Sequence, residues 1–180
     1  MNKFRFSPIK NKEQLFEAIK YTHIKCFELC KKVYGKYLPV AGNLGIFCHD
    51  NGEYEFLTKL REELTDKTDN WNQKYYRLYE PIKIPSNDDI PETTYTYLYI
   101  RKPDQHTEVG DVDFVLNSKE YSELRNNLAN GVKIKGMEIL DRPELDLIKL
   151  FDSDFDVSSF IGQKDIIEDI RDQENQKLGR

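Results

Sequence analysis

Apolar residues recur at three- and four-residue spacing through residues 12–34: Phe16, Ile19, His23, Phe27, Cys30 and Tyr34, with Leu15, Cys26 and Val33 beside them. That period predicts one long amphipathic helix. Asn11 supplies an N-cap with Gln14 three residues on, and Gly35 supplies the stop. Ahead of it, Phe4 and Phe6 alternate with Lys3 and Arg5, which predicts a short first strand over residues 3–9. The apolar run at residues 44–48 predicts a central strand. Asp50, with Glu53 three residues on, then starts a second helix whose stripe is Phe56, Leu57, Leu60 and Leu64.

Residues 75–78 and 82–84 read as strand pieces interrupted by Pro81. The clearest alternation is at residues 93–101. There Thr94, Thr96, Leu98 and Ile100 take one face, and Tyr95, Tyr97, Tyr99 and Arg101 take the other. Residues 109–116 alternate in the same way, with Val112, Phe114 and Leu116 opposed to Asp111 and Asp113. Joined by the polar loop at 102–108, these two strands are expected to pair as a hairpin. Matching their apolar faces sets Tyr97, Tyr99 and Arg101 on the face of Asp111 and Asp113. Ser118 is the expected cap of a third helix over 119–130, with Tyr121, Leu124 and Leu128 inward and Gly131 closing it. Residues 132–140 read as a further strand, and residues 143–151 fit neither period.

Strands grouped in the middle of the chain, with helices before and after, predict an α+β fold. The expected architecture is a mixed or mostly antiparallel twisted sheet with two or three helices packed on it, a ferredoxin-like core with additions being one form. Residues 1–161 are expected to make a single domain. Residues 162–180, acidic and Gln-rich with a weak amphipathic turn at Ile166, Ile167 and Ile170, are expected to be a partly flexible tail.

Composition narrows the function classes. Twenty-seven basic against 32 acidic residues, a net charge of −5, argue against broad nonspecific binding to duplex nucleic acid. No apolar run is long enough to cross a bilayer, and residues 1–10 lack the apolar core of a secretory signal. Three cysteines in no framework spacing predict free thiols in a reducing, cytoplasmic setting.

The densest candidate chemistry is Asp111 and Asp113. Two carboxylates two apart on a strand point the same way and can share a hard divalent cation, Mg²⁺ or Mn²⁺. The run Gly-Asp-Val-Asp-Phe-Val-Leu at 110–116 resembles the metal-binding strand of nucleotidyltransferases and primase-type polymerases, without the Gly-Ser lead-in of the former. Tyr97 and Tyr99 on the same face suit stacking on a ligand, and Arg101 and Lys102 suit neutralising a phosphate. His49, between a strand end and a helix start, and His106, in the loop at 102–108, are the candidate acid–base residues. His23, Cys26 and Cys30 share a helix face, but their apolar surroundings mark them as core. The acidic run at 152–156 lacks the Gly and Glu of a calcium loop.

The expected function is therefore a metal-dependent enzyme acting on a phosphate-bearing nucleotide or nucleic-acid end, by phosphoryl or nucleotidyl transfer or by hydrolysis. The competing expectation is a non-catalytic module that binds a small ligand or a protein partner on the Tyr95, Tyr97, Tyr99 sheet face. No membrane partner is expected.

Overall fold

The structure, a computed structural model, describes residues 5–68, 73–140 and 146–177. In chain order the elements are α1 (Lys12–Tyr34), β1 (Val40–Phe47), α2 (Asn51–Leu64), β2 (Tyr76–Ile84), β3 (Thr93–Arg101), β4 (Gly110–Leu116), α3 (Ser118–Ala129), β5 (Met137–Leu140), β6 (Leu147–Leu150), β7 (Ser158–Gln163) and α4 (Lys164–Lys177). The strands form one seven-stranded mixed sheet in the order β2-β3-β1-β4-β7-β6-β5. The protein is thus α+β. The order differs from a plain ferredoxin-like core, because β1 runs parallel to its neighbour β3, and β4 parallel to β7.

Helix α1 starts where the cap residues place it. Asn11 accepts from the Gln14 amide, Gln14 Oε1 accepts from the Lys10 amide, and Gly35 ends the helix at φ 94°. Its buried stripe, from Leu15 to Cys30, packs on Leu44, Ile46, Val112 and Phe114 of the sheet. Helix α2, capped by Asp50, covers the same face over β2 and β3. Its Arg61 lies 3.6 Å above the ring of Tyr76, which pairs with Leu98. Helix α3 packs against β4, β5 and β7. Its N-cap is Asn117 rather than Ser118, because the Asn117 side chain accepts from the Glu120 amide. Helix α4 lies across the opposite face of the sheet.

Several expectations change. No strand forms over residues 5–9, and the rest of the expected 3–9 strand falls partly outside the described residues. The Ile9 amide and the Ser7 hydroxyl donate instead to Glu53 of α2, which removes Ile9 from any ladder. The stretch expected as a strand over 132–140 is extended and paired only from Met137, after Gly136 at φ 83°. Strand β2 runs through Pro81, at the sheet edge where its missing N–H costs nothing, and the pairing shifts between Arg77 and Ile82. Strand β7 crosses residue 162, where the tail was expected to begin, and residues 164–177 are helical.

The expected β3–β4 hairpin does not form: β1 is inserted between the two strands. The apolar run of β1 is buried on both faces, which is what a central strand requires. The conclusion about faces survives, because it travels through β1. Gly45 pairs with both Tyr99 and Asp111, so those residues share the face away from α1 and α2.

Tyr95 is the exception to the expected tyrosine row. It is buried on the helix side, its hydroxyl 2.8 Å from His23 Nδ1, while Leu98 and Ile100 also face the helices. Tyr95 and Leu98 are three positions apart, an odd step, so the strict alternation breaks between them. The break lies beside Gly42, whose φ is 84°, and beside the irregular pairing of β1 between Val40 and Leu44.

Candidate functional site

The face of the sheet away from α1 and α2 carries Asn43, Gly45 and Phe47 from β1, Tyr97, Tyr99 and Arg101 from β3, and Asp111 and Asp113 from β4. Ser158 and Phe160 from β7 complete it, paired with the two aspartates. Both aspartates are buried, at 2% and 8% exposure. Burial of two neighbouring carboxylates is costly unless something compensates them. Asp113 is partly compensated: its Oδ2 accepts from Asn43 Nδ2 at 2.6 Å and from the Tyr75 hydroxyl at 3.1 Å. Among the described residues, Oδ1 of Asp111 and Oδ1 of Asp113 meet no hydrogen-bond donor.

Gly45 is what admits the Asp111 carboxylate. A Cβ at residue 45 would collide with Asp111 Oδ1 and crowd the ring of Phe47. Here the need for glycine comes from close approach rather than from an unusual φ. Burial and then the charge of Asp113 push the Asp111 carboxyl up to about 7, against the partial relief of Lys74 and Arg101. Burial, with Asp113 and Asp111 nearby, pushes the Tyr75 hydroxyl well above the usual phenol range.

Cations and rings frame the pair. The Arg171 guanidinium of α4 lies 4.1 Å over Tyr97 and 4.8 Å over Tyr75, and Arg171 Nη2 donates to Asn43 Oδ1 at 3.4 Å. Lys74 Nζ lies 4.8 Å over Tyr75 and 4.7 Å over Tyr99. A cleft of about 590 Å³ opens beside the pair on the same face, lined by Arg101, His106, Glu108, Lys149, Ser158 and Phe160 among others. The His106 ring packs on Phe47 at 5.0 Å, so Phe47 separates the cleft histidine from the carboxylates.

The structure thus brings Tyr97, Tyr99, Arg101, Asp111 and Asp113 to one face, with His106 at its border. It does not bring the expected phosphate-binding set together. Arg101 lies over Phe47 and donates to Asp104 through Nε and Nη2, at 3.1 and 2.6 Å, and Lys102 is exposed in the loop. His49 lies 5.0 Å from His106, ring to ring, with its Nε2 donating to the Glu108 carbonyl. Burial first, and then His106, hold the His49 imidazole below its usual range. Asp104 also pairs with His106 Nδ1.

Sequence reasoning missed Asn43, Gly45, Tyr75 and Arg171. Asn43 and Gly45 sit at alternate positions in a strand otherwise rich in large apolar residues. A polar residue and a glycine two apart in a buried strand is the local mark that something close-packed or polar faces them. Tyr75 and Arg171 lie far away in sequence, and only the fold brings them in.

No protein-family model matches the chain, and no curated protein is similar to it in sequence. Among solved structures, a glyoxalase/bleomycin resistance protein/dioxygenase superfamily member from Vibrio splendidus 12B01 is similar at a TM-score of 0.36 and 9% identity, over 67% of this chain and 95% of that one. A Streptomyces coelicolor methylmalonyl-CoA epimerase in complex with 2-nitronate-propionyl-CoA is similar at 0.34 and 17%, over 70% and 97%. Likeness this slight carries no activity across. The expectation of a phosphoryl- or nucleotidyl-transfer enzyme is corrected on the site itself. The physical reason lies in the expected phosphate-binding pair: Arg101 is spent on Asp104, and Lys102 faces solvent in the loop. The expectation of a module built on the Tyr95, Tyr97, Tyr99 row is corrected as well, since Tyr95 belongs to the core.

Among the described residues, no helix is long and apolar enough to cross a membrane.

Proposed function

We propose that the protein binds a divalent cation, Mg²⁺ or Mn²⁺, through Asp111 and Asp113, and acts on a small organic molecule held in the adjoining cleft. The observation that carries this reading is the pair of buried, unpartnered Oδ1 oxygens on one sheet face, with Gly45 clearing the space for one of them. Two such carboxylates, buried two positions apart on one strand face, call for positive charge beside them.

The donor set suits a hard cation. It is oxygen only, and among the described residues no third Asp, Glu, His or Cys joins it. That excludes a closed zinc-type cage of these residues. It agrees with the way Mg²⁺ is held, by one or two carboxylates with water and ligand in the remaining positions. When bound, such an ion polarises an oxygen of its ligand. The chain's own residues do the rest. Asn43 and Tyr75 hold Asp113 in place by their bonds to Oδ2, and Tyr97 and Tyr99 wall the site. His106, its Nδ1 held by Asp104, is the histidine that lines the cleft and the candidate acid–base residue there. His49 supports His106 by ring contact and does not itself line the cleft. Three buried, unpaired cysteines agree with a reducing compartment.

Calorimetric titration with Mg²⁺ and Mn²⁺ tests the reading. Saturable binding is expected in the wild type, and its loss in the Asp111→Asn, Asp113→Asn variant. Affinity unchanged by that double substitution overturns it.

A further inference from the structure

Helix α4 lies over the sheet face that carries the acid pair, and among its described side chains only Ile167 is buried, with Ile170 and Arg171 half-buried. Ile167 is buried against Gly162, and Asp165 meets the Ser118 hydroxyl. Ile166 stays 39% exposed. From α4, the side chain of Arg171 reaches over the tyrosine face. It reaches the carboxylates indirectly and twice over: through Asn43, whose Nδ2 donates to Asp113, and through Tyr75, whose hydroxyl does the same. The guanidinium therefore stands against both groups that hold Asp113, Asn43 and Tyr75. Stacked on two rings, it supplies positive charge where an incoming cation would have to pass.

We propose that α4 is a movable cover and that Arg171 is its latch, competing from within the chain for the mouth of the Asp111–Asp113 site. The covering role rests on the contacts of Arg171 with Asn43, Tyr75 and Tyr97; the competition with a metal ion rests on the cation reading above. A helix held by so little apolar contact opens at low cost, and a ligand that needs the open form binds more weakly by the fraction of time the cover is open.

The experiment compares wild type, Arg171→Gln and Arg171→Lys by two measurements. One is carbodiimide-driven coupling of a small amine to Asp111 and Asp113, read by peptide mass spectrometry. The other is Mn²⁺ affinity, read by electron paramagnetic resonance. Arg171→Gln is expected to raise both the labelling and the Mn²⁺ affinity about tenfold, the scale of a cover open a tenth of the time. Arg171→Lys keeps the charge but loses the planar stack, so it is expected to fall between the two. Should Arg171→Gln fail to fold, Arg171→Lys carries the comparison. Labelling that does not rise overturns the cover, whatever Mn²⁺ does. Labelling that rises while Mn²⁺ binds none of the three proteins upholds the cover and overturns the cation reading. Mn²⁺ that binds more weakly as labelling rises upholds the cover and overturns the competition.

Discussion

At the scale of single residues, the protein keeps ionisable groups in places where burial sets their charge. Asp111 is the clearest. Its carboxyl sits near 7 because burial and Asp113 oppose ionisation. An acid whose folded value is raised stabilises the fold below its unfolded value, near 3.8, and loses that contribution as pH rises through 7. The apo protein is therefore expected to melt at a lower temperature at pH 8 than at pH 5.5. Asp111→Asn should remove most of the difference, stabilising the protein at pH 8 by roughly 1–3 kcal/mol. Calorimetric melting across that pH range checks this; a variant no more stable than wild type at pH 8 contradicts it.

His23 has a different window. Burial lowers it to about 4, so it is neutral in the fold, and its contribution is present above about 6.5 and lost as pH falls toward 4. His23→Phe should cost about 1–2 kcal/mol at pH 8, since it leaves the buried Tyr95 hydroxyl without its partner. It should also lose less stability than wild type between pH 6.5 and 4.5, as urea midpoints at the two values will show. That the two aspartates share a face with Tyr97 and Tyr99 was legible in the sequence, because alternation sets faces. Their burial was not legible, since it depends on Tyr75 and on β7.

At the scale of elements, β1 decides the site. It separates the two strands that looked like a hairpin, and it presents Asn43, Gly45 and Phe47 between the tyrosines and the aspartates. Gly45→Ala is expected to displace the Asp111 carboxylate, to cost roughly 1–3 kcal/mol by overpacking, and to abolish cation binding together with it. A Gly45→Ala protein that melts and binds as wild type contradicts the close approach. The helices were legible from their caps and stripes: Asn11, Gly35 and Asp50 sit where those signals put them. The strand order was not, because alternation specifies faces and says nothing of neighbours. An eight-residue loop at 102–109 serves a hairpin or a step over an inserted strand equally well. The offset of Tyr95 was hidden for a related reason: a break in alternation beside Gly42 leaves no mark in the periodicity of β3 itself.

At the scale of the whole molecule, the sheet divides the work. One face is a hydrophobic core under α1 and α2, and the other gathers the polar groups beneath α4. Neither the pairing of β4 with β7 nor the return of α4 across that face was visible in residues 152–177, where acidic and Gln-rich composition masks a short strand and a helix. The charge balance also belongs to this scale. With a net charge of −5, attraction of cations to the site should be long-ranged and screened by salt, so Mn²⁺ affinity should weaken several-fold between 20 and 200 mM salt. Affinity unchanged over that range would mean that only local charges count.

The central claim is that the orphan oxygens of Asp111 and Asp113 hold the cation, and paramagnetic NMR tests it most directly. Sub-stoichiometric Mn²⁺ is added to labelled protein and the broadened signals are mapped. The account predicts broadening at Gly45, Tyr97, Tyr99, Val112 and Ser158, abolished in Asp111→Asn. Broadening confined to the exposed acidic cluster at Asp152 and Asp154, or none at a concentration that saturates the protein, would contradict it.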